Sequence, residues 1–281
     1  MGSPSDHEYL LEIMMAAAAE AGERIMAERV RGAPGSAVRK ADSSPVTAAD
    51  IAAHQVLIAT LKRHAPDIPA ISEEGLIPPF EERRDWHRVW LVDPLDGTRE
   101  YVRGSLAFSV NIALVEANRA VLGVIGLPAP RILYTGFCPT DNPACWRAEK
   151  YVHGKPLTIA TRPLESGRSL RMLTSSHHGM PQTRALRKRL SGSFPSVSCE
   201  SLGSAAKMAL IAEGAADLYP RFGPTCEWDT AAGQALLEAA GGGLFTLDGR
   251  PRRYNAGDSL LNPSFYAVGD TTFAWSRWFE A

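Results

Sequence analysis

The 281-residue sequence lacks a charge excess of either sign: 30 Lys and Arg stand against 31 Asp and Glu, for a formal net charge of -1. No global field would gather a nucleic-acid polymer or hold a membrane surface, so any affinity for anions must be local. Cysteine is scarce. Cys138, Cys145, Cys199 and Cys226 stand at irregular spacings, with no CxxC pair and no histidine placed to complete a zinc site, which favours a reduced compartment. No apolar run approaches the roughly 18 residues that suggest a membrane span. No N-terminal stretch joins a basic start to an apolar run and a small-residue cleavage site. A cytoplasmic location is expected; weak peripheral association with the inner membrane stays open, as does the choice between monomer and homodimer. Repeats and low-complexity tracts are missing as well, and a composition of 45% hydrophobic and 22% charged residues is that of an ordinary globular chain. The whole chain should fold, as one large unit or as two sub-domains sharing an interface.

Apolar residues at helical spacing, from Leu10, Ile13 and Met14 to Ile25 and Met26, predict an amphipathic helix over Asp6 to about Val30. A second begins near Thr47 and carries Ile51, Val56, Ile58 and Leu61 towards Pro66, which places Thr47 and Asp50 in a first helical turn. Short β-like runs follow at Ile68–Ser72, Val89–Val92, Phe108–Glu116, Ala120–Leu127 and Ile132–Phe137, broken by Pro and Gly, and their short connections predict an antiparallel sheet. Beyond about Tyr151 helices and strands alternate: helices near Gln182–Leu190, Ser204–Glu213 and Trp228–Ala240, and a strand at Ala216–Tyr219. The expectation is therefore an α+β first part, residues 1–150, and a smaller α/β second part, residues 151–281, meeting at a seam rather than a linker.

The segment Val89-Trp90-Leu91-Val92-Asp93-Pro94-Leu95-Asp96-Gly97-Thr98 carries the most chemistry. An apolar strand delivers Asp93, Pro94 holds that residue extended, and Gly97 lets the chain bend sharply after Asp96. Two carboxylates and the Leu95 carbonyl could then converge as a hard cation such as Mg2+ requires. By itself the pattern equally fits two aspartates capping a turn. Glu73, after the Ile68–Ile71 run, and Asp229, opening a helix, offer further carboxylates, although Glu73 could lie in a solvated loop and Asp229 could be a simple N-cap. An EF-hand does not fit, because Leu95 occupies a position that needs a ligand side chain.

Four segments, Lys40 to Asp50, Ser72-Glu73-Glu74, Asp93 to Thr98 and Glu227 to Gly233, resemble in order and spacing the motifs of the inositol monophosphatase superfamily. Within it the chain is most similar to bisphosphate nucleotidases of the CysQ type, through Lys40 to His54, the Asp-Gly-Thr-Arg-Glu-Tyr run and Leu218 to Thr225. The resemblance implies a layered αβαβα sandwich. It also implies Mg2+-dependent removal of the 3′-phosphate of adenosine 3′,5′-bisphosphate, with two or more Mg2+ per site, sensitivity to Li+ and a role in sulfur metabolism. Glu73, Asp93 and the Leu95 carbonyl would bind one ion; Asp93, Asp96 and Asp229 a second. Asp50 and Thr98 would activate water, with Glu73 as a third catalytic residue. Gly97, Thr98, His177, Ser204, Lys207, Arg221 and Asp229 would contact the substrate. Gly203 and Ser204 are expected to begin a helix whose free N–H groups favour a phosphate, and Arg221 to point into a cleft from a strand end. Arg99 and Tyr101 stand where the CysQ type usually has Lys and Phe, and Leu106-Ala107 where an acidic residue and an aromatic are common; these positions are expected to adjoin the site rather than form it. Two alternatives follow: an inositol monophosphatase or broad sugar-phosphate phosphatase, and a catalytically silent sensor that binds a phosphonucleotide or metal.

Overall fold

The computed structural model describes residues 5–32, 38–39, 45–139, 143–165, 167–175 and 179–279. In chain order its elements are α1 (Asp6–Arg31), β1 (Val38–Arg39), β2 (Pro45–Val46), α2 (Ala48–His64), β3 (Ala70–Ser72), α3 (Phe80–Arg83), β4 (Arg88–Asp96), α4 (Thr98–Val102) and β5 (Ser109–Glu116). There follow β6 (Arg119–Leu127), β7 (Ile132–Phe137), β8 (Arg147–Val152), β9 (Lys155–Thr158), β10 (Leu170–Thr174), α5 (Met180–Leu190) and β11 (Val197–Ser201). The last are α6 (Ala206–Ala212), β12 (Leu218–Arg221), α7 (Ala231–Ala239), β13 (Gly243–Thr246) and β14 (Phe265–Val268). No helix among the described residues is long and apolar enough to cross a membrane.

β3 to β9 form a seven-stranded sheet in sequence order. It departs from the expected antiparallel arrangement at one edge, where β3 pairs parallel with β4 because α3 and its flanking turns carry the chain back across the sheet. Position 150 lies inside β8, and this sheet ends with β9 at Thr158. The second sheet has the order β11-β10-β12-β14-β13, parallel around β10 and antiparallel at β14.

Strand alternation places both sheets in layers. On β4, Trp90 and Val92 join a core with Leu10, Met14, Ala53 and Leu57 of α1 and α2, whereas Val89 and Leu91 join another with Ala232, Ala235 and Leu236 of α7. Because both faces are covered, the strand reads as a continuous apolar run. α6 and α7 fill the space between the two sheets, and Leu186 and Leu190 of α5 cover the far face of the second with Leu170, Met172 and Trp275. The order of layers is thus αβαβα.

α7 lies against bare backbone. A Cβ on Gly136 of β7 would sit within 2.4 Å of the Leu236 amide nitrogen and 2.5 Å of the Ala235 carbonyl carbon. Gly136→Ala must therefore push α7 off the sheet, and a loss of about 1–3 kcal/mol of stability is expected, with catalysis impaired as well, since α7 follows the turn that carries Asp229. Denaturant unfolding monitored alongside activity checks both.

Candidate active site

Pro94 has no N–H to give a sheet, so β4 cannot run regularly past it. The strand nevertheless continues to Asp96, with a bulge: Asp93 pairs with Asn111 and Asp96 with Ser109. Four residues on β4, 93–96, thus stand opposite three on β5, 109–111. In an unbroken strand Asp93 and Asp96 would point to opposite faces; the extra residue turns both to the same one. The Asn111 amide on that face approaches Asp96 Oδ2 at 3.4 Å. Gly97 then takes φ 94°, where a side chain would be strained and would press on the Ala107 carbonyl, and α4 starts at Thr98.

Glu73 follows β3, the parallel neighbour of β4, and Asp229 closes the 3-10 turn Glu227–Asp229 ahead of α7. Ligand-type oxygens of Glu73, Asp93 and Asp229 all lie within 4.8 Å of one another. Asp96 is outside that triplet but lines the same cavity of about 250 Å³, together with Leu95, Gly97, Thr98, Ser204, Lys207 and Arg221. Asp93 is 1% exposed; its Oδ1 accepts the Leu95 N–H at 3.0 Å, whereas its Oδ2 is buried with no hydrogen-bond partner among the described residues. A buried carboxylate oxygen without a donor is costly, and a cation held by three carboxylates removes that cost. The donor set, all oxygen, fits a hard divalent ion.

Burial pushes Asp93 well above the ordinary carboxylate range, and repulsion from Glu73, Asp96 and Asp229 adds to it. Asp229 is pushed up to about 8, again first by burial and then by Asp96 and Glu73, against the Cys226 N–H that its Oδ2 accepts at 2.7 Å. Asp96 is raised by burial, with the charge of Lys207 opposing.

Behind the cavity Thr47 caps α2 reciprocally with Asp50: the Thr47 N–H donates to Asp50 Oδ2 at 2.8 Å and the hydroxyl to the same oxygen at 2.5 Å. The other oxygen, Oδ1, accepts the Thr98 hydroxyl at 3.0 Å, which lies 3.2 Å from the Leu95 carbonyl as well. Asp50 is 2% exposed, and burial raises its pKa despite these donors. Of the motif from Lys40 to Asp50, residues 40–44 lie outside the described residues, as does His177.

Lys207 lines the cavity but is buried: it is 4% exposed, its Nζ donates to the carbonyls of Leu202 at 3.0 Å and Ser204 at 2.6 Å, and it sits 4.9 Å from the centre of the Tyr219 ring. Burial lowers it to about 8, with Asp96 pulling the other way. Gly203 and Ser204, expected to begin a helix, do not. Ser204 adopts a left-handed φ of 55°, so α6 starts only at Ala206, whose N–H is taken by the Ser204 hydroxyl. Arg221 lines the cavity from the end of β12 as expected, braced by the carbonyls of Gly223 and Pro224. Arg99, read as adjoining the site, lines the cavity with Glu100, Ser175 and Thr225; position directly after Thr98 was the signal for the first two.

The fold and motifs have counterparts among known proteins. The 3′(2′),5′-bisphosphate nucleotidase CysQ of Salmonella typhimurium is 40% identical over 256 residues, which cover 91% of this chain and 98% of that protein. The Escherichia coli K12 protein of the same name matches equally. The crystal structure of CysQ from Bacteroides thetaiotaomicron, at 35% identity, superposes with a TM-score of 0.79 over 92% of this chain and 96% of that one. An inositol monophosphatase from Zymomonas mobilis, 26% identical, gives 0.74 over 99% and 100%. With the inositol monophosphatase family profile matching residues 6–276, from the first turn of α1 almost to the C-terminus, the chain belongs to that family.

Proposed function

We propose that this chain is a Mg2+-dependent 3′(2′),5′-bisphosphate nucleotidase, removing the 3′-phosphate of adenosine 3′,5′-bisphosphate to give AMP. The observation that carries this reading is a cavity lined by both signs of charge, with Glu73, Asp93, Asp96 and Asp229 as carboxylates and Lys207, Arg221 and Arg99 as cations. A substrate with two phosphates suits both, one phosphate meeting the carboxylates through bound cations and the other the fixed positive groups. The names of the CysQ relatives support the same substrate class.

Glu73, Asp93 and the Leu95 carbonyl would hold one ion, and Asp93, Asp96 and Asp229 a second. Bound divalent cations supply positive charge against the phosphate oxygens and acidify the attacking water. The chain does the rest. Thr98 has one hydroxyl proton and two acceptors in reach, Asp50 Oδ1 and the Leu95 carbonyl. Donation to Asp50 leaves the Leu95 oxygen available and lets Thr98 Oγ1 accept from the water. As that proton arrives at Thr98, the threonine's own passes to Asp50, whose burial makes it a better base than an exposed aspartate. Thr47 fixes the carboxylate through its other oxygen, so the relay keeps its orientation. Gly97, Ser204, Lys207 and Arg221 line the space left for the substrate; phosphate-ester hydrolysis is mainly charge cancellation and positioning, and these groups supply the positioning.

Phosphate release from adenosine 3′,5′-bisphosphate and from inositol 1-phosphate, with Mg2+ and with a chelator, tests the assignment. The nucleotide is expected to lead by about tenfold or more in kcat/KM, the worth of one charge-assisted contact. Equal or faster release from inositol 1-phosphate would assign the sugar-phosphate alternative. No Mg2+-dependent release from any ester would leave only the sensor.

A further inference from the structure

Asp229 owes its place to a 3-10 turn of three residues, too short to hold itself. A buried polar network holds it. Glu227, 1% exposed, accepts the Asn255 N–H on Oε2 at 2.6 Å and the Arg252 guanidinium on Oε1 at 3.0 Å. The other arm of the same guanidinium, Nε, donates to Asn262 Oδ1 at 3.0 Å. That bond orients the Asn262 amide, whose nitrogen reaches the Cys226 carbonyl at 2.6 Å and the hydroxyls of Thr225 and Thr230 at 3.1 Å each. One planar group therefore pins the turn at its first residue, Glu227, and from both flanks, through Asn262.

The network continues to the opposite side of the cluster. Arg83, 1% exposed, donates to Asn255 Oδ1 at 2.7 Å and to the carbonyls of Gly257 and Asp258, while Asn255 donates to the Arg83 carbonyl at 2.7 Å. Arg83 belongs to α3, in the same β3–β4 connection as Glu73. Arg252 itself does not line the active-site cavity; it lines a separate one with Trp146, Gln234 and Glu238.

We infer that Arg252 is a positioning residue for the cation site: through Glu227 and Asn262 it sets the Asp229 carboxylate relative to Glu73 and Asp93, and so sets Mg2+ affinity without touching the substrate. The inference rests on the metal-dependent reading above. Lysine cannot replace the arginine fully, because a point charge satisfies Glu227 or Asn262 but lacks the fork that meets both.

Calorimetric titration of the purified chain with Mg2+ alone, beside unfolding midpoints in chelator, tests it. Arg252→Gln is expected to weaken Mg2+ binding by about 10–100-fold, the usual cost of removing a group that orients a metal ligand. At saturating Mg2+ its KM for the nucleotide should stay within about twofold of wild type, since P–O cleavage groups and substrate contacts remain. Arg252→Lys should fall between the two, and Arg253→Gln, a neighbouring exposed arginine, should bind as wild type. If Arg252→Gln does not fold, Arg252→Lys decides: a Mg2+ affinity equal to wild type overturns the inference. A folded Arg252→Gln that binds Mg2+ like wild type, or one whose KM rises with affinity unchanged, overturns it as well while leaving the proposed function intact. Absence of Mg2+ binding by the wild-type chain overturns both.

Discussion

Asp93→Asn is expected to lower turnover by about 10³-fold or more and, in the presence of a chelator, to make the folded chain more stable. The two effects have one cause. Asp93 is enclosed, its Oδ2 has no donor among the described residues, and one of its oxygens lies within 4.8 Å of oxygens of Glu73 and Asp229. Asparagine keeps an acceptor for the Leu95 N–H and turns a neutral NH2 towards those carboxylates, replacing repulsion by hydrogen bonds. Relief of one unsatisfied buried acceptor should be worth about 1–3 kcal/mol. The same change neutralises the one side chain that would serve both proposed ions, so the stabilisation that Mg2+ would give the wild-type chain should disappear. Turnover near wild type would remove the carboxylate cluster from the mechanism. A lower unfolding midpoint in chelator would show that Asp93 is held by contacts other than the ones seen.

The elements that carry the cluster were legible because each rests on a local rule. Thr47 and Asp50, three apart before an apolar helical run, are a capping pair and form one. The strand ends at Ser72 and the apolar run from Val89 follow from composition alone. What Pro94 does was only half legible. The sequence suggests a turn after Asp93; the structure keeps the strand and inserts a bulge, and that bulge is what puts Asp93 and Asp96 on one face.

Other parts carried no local signal. β9 and β11 are exposed edge strands rich in polar residues, so their alternation is weak, and β13 and β14 are only four residues long. The burial of Lys207 depends on a left-handed Ser204 and on the Tyr219 ring beneath it, neither of which spacing reveals. Glu227 reads as one acidic residue beside a motif, yet its partners Arg252 and Asn255 lie 25 and 28 residues away. Positions that act at a distance along the chain, rather than within one element, are where sequence reasoning stops.

The stability that Mg2+ confers is expected to grow with pH from about 4 to 8. In the folded chain burial and the charges of Asp96 and Glu73 push Asp229 up to about 8, and Asp93 and Asp96 are raised in the same direction. Unfolded aspartates titrate near 4. Between about 4 and 8 the folded chain thus binds more protons than the unfolded one, and each such proton costs about 1.4 kcal/mol of stability per unit rise in pH. The chain in chelator should therefore lose stability as pH rises through this window. A divalent ion binds the same carboxylates only when they are deprotonated, so its affinity climbs as the protons leave, about tenfold per unit for each one displaced. Unfolding midpoints measured in Mg2+ and in chelator should diverge across the window, and titrations in two buffers of different ionisation heat should report proton release at pH 7. Asp229→Asn removes the group that titrates near 8 and should flatten the divergence between pH 6 and 8. Parallel midpoint curves for the wild-type chain would mean that the carboxylates are already ionised in the folded state, and that cation binding is not what their burial is arranged around.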